Sequence, residues 1–82
     1  MSMYEPLIKH LHKHPGNAVK VTFEDFEDFD VIGIGLPDSA KQDPRWWTDE
    51  ATPQCRAWLN EGWEVANVDF TAEHVIFRRR QD

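Results

Sequence analysis

Apolar positions along the chain change period several times, and each change marks an element. Pro6 suits the first turn of a helix, where its missing N–H costs nothing. Leu7, Ile8 and Leu11 then recur at helical spacing, with Met3 or Tyr4 extending the apolar face. His14-Pro15-Gly16 ends this segment, because the residue before a proline avoids the α region, so the spacing predicts a first helix over residues 5–13. Val19 and Val21 alternate with Lys20 and Thr22, the pattern of a short strand with one buried face. Thr22 can cap a second helix, with Asp25 three residues on at capping-box spacing and Glu24 adding negative charge at the positive helix end. Phe23, Phe26 and Asp30 fall on one stripe of that helix, with Phe29 beside Phe26, and Gly33 and Gly35 stop it.

Leu36-Pro37 reads as a turn or extended pair, after which Asp38 or Ser39 caps a short helical turn carrying Ala40. Pro44 interrupts again, and Arg45-Trp46-Trp47 is expected as a strand or an irregular extended piece. Thr52-Pro53 repeats the cap-then-proline signal for a helix over residues 53–61, with Cys55, Trp58 and Leu59 as its buried stripe and Gly62 as its C-terminal glycine. Trp63, Val65, Val68 and Phe70 mark a strand whose spacing slips by one residue at Ala66-Asn67, which predicts a bulge or strong twist. Thr71-Ala72-Glu73 is a turn, and Val75, Ile76 and Phe77 return as the second strand of a hairpin. The expected architecture is a small single α+β domain over residues 1–82, with two N-terminal helices around a short strand, a central helix and a C-terminal β-hairpin.

All four tryptophans lie between Leu36 and Trp63, so the rest of an 82-residue chain must pack around that stretch, or a partner must. A composition 40% hydrophobic and 29% charged is that of a folded domain. Cys55 is the single cysteine and cannot form an internal disulfide, so stability rests on packing. MSMYEPLIKHLHKH lacks the apolar core of a signal peptide, and no run approaches the ~20 apolar residues of a membrane span. The expectation is a cytoplasmic protein of bacterial or phage origin without membrane contact.

The net charge of −6 argues against coating nucleic acid by bulk charge. Its distribution changes that picture. Glu24, Asp25, Glu27, Asp28 and Asp30 crowd one segment, while Arg78, Arg79 and Arg80 form a basic cluster, so the two ends of the fold are expected to carry opposite potentials.

The order Tyr4…Pro6-Leu7…Leu11, Thr22-Phe23…Phe26-Glu27, Leu36-Pro37…Ser39-Ala40, Trp46-Trp47, Ala57-Trp58, Gly62-Trp63…Val65…Val68-Asp69…Val75…Phe77-Arg78 resembles an uncharacterised family of short prokaryotic domains. Its signature is LPxSA, then WWxN, AW, GWxV and a final VxFxR, and the resemblance covers nearly the whole chain. It implies one compact α+β domain and no established activity. The chain departs from the pattern after the tryptophan pair, where Thr48, Asp49 and Glu50 stand in place of the family's asparagine. If that asparagine reads a ligand in relatives, Asp49 inverts the charge preference of the contact.

Individual constellations carry little chemistry. His10 and His14, at i and i+4, could share a metal ion, but with His12 they read more simply as surface histidines at a helix end, without a third ligand. Cys55 falls on an apolar stripe and reads as a small buried hydrophobe. Gly33-Ile34-Gly35 lacks the strand before and helix after that a phosphate loop requires. Ser39 has no base aimed at it, and the paired carboxylates sit in a solvated run, so neither nucleophilic nor glycosidase chemistry is indicated. The sequence predicts no enzyme, no cofactor and no metal.

What remains is Arg45, Trp46, Trp47, Arg56, Asn60 and Arg78 to Arg80, since arginine with tryptophan stacks on bases, grips phosphates and also anchors protein interfaces. Two adjacent tryptophans on an extended segment cannot both face inward, and Trp47 is expected to be the exposed one because it adjoins Thr48-Asp49-Glu50. The first functional expectation is a DNA- or RNA-binding accessory domain using Arg45, Trp47, Arg56, Asn60, Arg78 and Arg80. The alternative is a protein-interaction module or small inhibitor, whose acidic helix mimics phosphate charge toward a basic protein partner. A small hydrolase is the third.

Overall fold

The computed structural model describes residues 4–80; Met3, expected to extend the first apolar face, lies outside them. The elements are α1 (Glu5–His12), β1 (Ala18–Thr22), α2 (Phe23–Glu27), α3 (Asp38–Gln42), α4 (Arg45–Thr48), α5 (Pro53–Leu59), β2 (Trp63–Asp69) and β3 (His74–Arg79). The α+β class and the C-terminal hairpin are as the sequence predicts. The hairpin is not alone, however: β1 pairs antiparallel with β3, giving a three-stranded sheet of order β1-β3-β2.

Register explains which side of the sheet is buried. Val19 lies opposite Phe77 and Val21 opposite Val75, while on the other side of β3 Phe77 faces Val65 and Val75 faces Val68. Residues opposite one another share a face, so these form the core side. Lys20, Ile76 and Asn67, with Ala18, Arg78 and Glu64, form the open side. The pairing slips between Val65 and Asn67, the expected bulge, and this keeps Trp63, Val65 and Val68 on the core side despite their uneven spacing.

The core is centred on Trp47, which is 1% exposed. Its ring stacks 6.0 Å from Phe23 and 6.0 Å from Trp58, and meets Phe26 edge-on at 5.4 Å. The indole N–H donates to the Ala40 carbonyl at 2.7 Å, so the polar end of the ring is satisfied inside the core. Leu7 and Leu11 from α1, Phe77 from β3 and Trp63 from β2 complete the buried cluster.

Three expectations change. Arg45–Thr48 is a helical turn and not an extended piece: the Asp43 side chain accepts the Arg45 N–H at 2.9 Å, Pro44 already holds helical dihedrals, and Thr48 Oγ1 donates to the Pro44 carbonyl. Helical geometry also reverses the tryptophan assignment, because successive residues point in directions about 100° apart. Trp47 is the buried member, and Trp46 is only partly covered.

The second change is that α2 stops at Glu27, well short of the glycines. Thr22 and Asp25 do form the reciprocal capping box, but Asp28 turns extended and its carboxylate accepts the Asp30 N–H at 2.9 Å. That local bond competes with helix continuation and leaves Phe29 outside the stripe. Third, α3 has Pro37 as its N-cap, so Asp38 and Ser39 lie inside its first turn and neither side chain caps it.

Trp47→Ala and Phe77→Ala should each cost about 3–5 kcal/mol through lost transfer energy and a residual cavity, enough to unfold much of so small a domain. Phe29→Ala should stay within about 0.5 kcal/mol of wild type. Urea denaturation followed by far-UV circular dichroism measures both; a Trp47→Ala shift below about 1 kcal/mol would remove Trp47 from the centre of the core.

Candidate functional site

Side chains offered by the sequence as one basic surface each have different immediate neighbours. Arg56 and Asn60, one helical turn apart, line a groove of about 500 Å³ between α1 and α5, together with Glu5, Ile8, Lys9 and Glu61. Arg78 is on the open face of the sheet, where its Nε donates to Glu64 Oε2 at 2.6 Å. Arg80 lies at a different cleft, and Arg45 is exposed on α4. Among the described residues Arg45 and Arg56 form no ion pair. Arg79 is spent on the fold, its guanidinium lying 4.7 Å from the centre of the Trp63 ring. Trp47, expected to stack on a base, is inside the core and offers no open ring face.

Two places emerge instead. The first is the loop after α2. Phe29 is 90% exposed and Val31 38%, among Asp28, Asp30 and Glu24. This loop is held in shape. Asp28 accepts N–H bonds from Val31 at 3.0 Å and Ile32 at 2.9 Å, and the Phe26 carbonyl accepts from both Ile34 and Gly35 at 2.9 Å. Ile32 anchors it in the core. Gly33 has φ +75°, and a Cβ there would lie 3.0 Å from both the Cα and Cδ1 of Phe29, so glycine is what lets the loop close against the base of the exposed ring. Not every carboxylate of the acidic run is free: Asp25 is in the capping box, and Glu27 pairs with Lys41 at 2.7 Å. That bond is the main cause holding the Lys41 ammonium above its usual pKa.

The second place is a cleft of about 210 Å³ between α4, α5 and the first residues of β2. Its floor is Trp47, Cys55 and Trp58, its walls Leu59 and Val65, and its rim Thr48, Glu50, Glu64 and Arg80. The Cys55 thiol at its floor is hydrogen-bonded within the fold. It donates to the Trp47 carbonyl at 3.1 Å, and burial pushes its pKa up. With Gln54 Nε2, which donates to the Trp46 carbonyl at 3.1 Å, it satisfies the exposed C-terminal carbonyls of α4.

Residues 4–81 match one known family. The chain belongs to the Domain of unknown function (DUF7662) family. No curated protein and no solved structure gives a significant match. For this DUF7662 domain, then, the function has to be read from its own surface. No helix among the described residues is long and apolar enough to cross a membrane.

Sequence reasoning missed both places for traceable reasons. Phe29 was placed beside Phe26 by assuming a longer helix, although Asp28 and Asp30, both turn formers, were a signal that the helix ends. Glu64 carries no signal of its own in the sequence, and only the hairpin turning at Thr71-Ala72-Glu73 sets it opposite Arg78. The histidine pair of the DUF7662 domain is close, with the rings of His10 and His14 4.8 Å apart, yet no group of three metal-ligating side chains occurs among the described residues.

His10 is held below the ordinary histidine pKa, first by burial and then by His14 and Lys13, against an opposing pull from Asp25. The unfolded chain therefore takes up this proton first as pH falls. Stability is lost between the ordinary histidine range and the lower folded pKa, and is unaffected by His10 above that range. Imidazole NMR titration should place the His10 midpoint below the ordinary value, and His14→Ala should move it upward; no upward movement would show that the neighbouring ring does not repel the proton. Iodoacetamide should modify Cys55 only after denaturation, as followed by mass spectrometry.

Proposed function

We propose that this domain is a protein-interaction module that docks through the loop after α2 onto a basic partner surface containing an apolar pocket. The observation that carries this reading is Phe29, 90% exposed and held on a hydrogen-bonded loop between Asp28 and Asp30. A large aromatic ring in water gains most when it enters a partner's pocket, and buried aromatic anchors dominate interface energetics. Because the loop is already closed by Ile32 and Gly33, little conformational freedom is lost on binding. Glu24, Asp28 and Asp30 supply negative potential around the ring, which favours a positive partner and speeds encounter.

The nucleic-acid reading draws its support from the guanidinium groups of Arg45 and Arg56, which form no ion pair among the described residues, and from Asn60 beside the latter. It loses the stacking platform, since Trp47 is covered, and Arg78 and Arg80 already face Glu64. The acidic loop is therefore the better-supported contact.

Immobilised domain should retain a basic protein from cell extract at low salt. Phe29→Ala should weaken retention at least about tenfold, the loss expected for one anchoring aromatic. Gly33→Ala should weaken it too, although it changes neither charge nor the exposed ring. The double variant Glu24→Gln/Asp30→Asn should reduce the salt dependence. Retention indifferent to Phe29→Ala would end the proposal. Tryptophan-fluorescence titration with single- and double-stranded oligonucleotides should be flat; binding lost on Arg45→Ala and Arg56→Ala would instead support nucleic acid as the ligand.

A further inference from the structure

The cleft between α4, α5 and β2 has a rim that the loop reading does not use. Arg80 points its guanidinium between two carboxylates, with Nε 3.8 Å from Glu64 Oε1 and Nη1 4.0 Å from Glu50 Oε1. Both separations are within ion-pair range and beyond hydrogen-bonding distance. Glu64 spends its other oxygen, Oε2, on Arg78 at 2.6 Å. Its Oε1 and the Glu50 carboxylate therefore keep acceptor capacity that no described residue fills. Glu64 is also the less solvated of the pair, its side chain 28% exposed against 72% for Glu50. Below them, Leu59, Val65 and the edge of Trp58 offer an apolar wall for methylene groups.

We infer that this cleft is a binding site for a guanidinium group, and that Arg80 is a loosely held internal occupant of it. The chain itself shows that such a group can stand between Glu50 and Glu64. A planar guanidinium with several N–H donors can bond both carboxylates at once, which a compact ammonium does less well. With Arg78 engaging Glu64 through Oε2, the acceptors left open at the rim are Glu64 Oε1 and the Glu50 carboxylate, which call for a hydrogen-bond donor. On the cleft floor the Cys55 thiol donates to the Trp47 carbonyl and takes no part in the proposed contact. The guanidinium can come from a free small molecule or from an arginine side chain on a peptide. The site is independent of the Phe29 loop, so the two readings stand or fall separately.

The test is titration of the isotope-labelled full chain by two-dimensional NMR, with agmatine and with acetyl-Gly-Arg-Gly-amide as probes. Either probe should shift the amides of Thr48, Leu59, Glu64 and Val65; agmatine responding alone points to a small-molecule source, and the peptide alone to a side chain. Glu64→Gln should weaken binding about tenfold or more, the loss of one charge-assisted contact, and Glu50→Gln should weaken it less. Arg80→Ala should strengthen binding by removing the internal competitor, and Phe29→Ala should leave it unchanged. Arg80→Ala abolishing binding would identify Arg80 as a ligand-gripping group and overturn the inference. So would an equal response to cadaverine, a response to inorganic phosphate, or no shift with either guanidinium probe in the mM range. Should Glu64→Gln fail to fold, as judged by its melting curve, the opposite signs expected for Glu50→Gln and Arg80→Ala still decide the matter.

Discussion

Everything in this domain leans on the burial of Trp47 with its indole N–H bonded to the Ala40 carbonyl. An 82-residue chain has little interior, so one large ring near the centre sets where neighbouring elements can sit. The bond to Ala40 fixes α3 relative to α4, ring stacking fixes α2 and α5 on either side, and Phe77 brings in the middle of the sheet. The helices are short, several only one or two turns, and could not persist alone. Their order comes from this shared centre and from local bonds: the Thr22–Asp25 box, the Thr52 cap at the start of α5, and the Asp43 side chain accepting the Arg45 N–H just ahead of α4.

Surface and interior are linked through the same constraint. Because Trp47 and Trp58 fill the core, the cleft above them has an apolar floor; because α2 is only long enough to deliver Phe23 and Phe26 to Trp47, the chain turns at Asp28 and leaves Phe29 in water. The exposed ring and the cleft are thus by-products of how the core is completed, which is where a small domain can present binding groups without weakening its interior.

Class, hairpin, bulge, capping box and the helix after Thr52 were legible from residue pattern because each has a local cause. The pairing of β1 with β3 was not: Ala18 and Arg78 are distant in sequence, and no turn chemistry announces their contact. The tryptophan pair was misread because the extended state was assumed after Pro44, when Asp43 in front of that proline is itself a helix-starting signal. The neighbours of the arginines were hidden for a different reason. Residue type shows that Arg78, Arg79 and Arg80 are cationic, but only the cross-strand register shows that Glu64 and Trp63 are already beside them.

The strand order has a consequence for how the chain is made. β3 lies between β1 and β2 and is later in sequence than both, so during synthesis neither earlier strand has a partner until β3 has emerged. Val19 and Val21 of β1 find their cross-strand partners, Phe77 and Val75, only near the other end of the domain. The sheet can therefore close only once its C-terminal strand is available, so its assembly rests on contacts between residues distant in sequence, which slows folding.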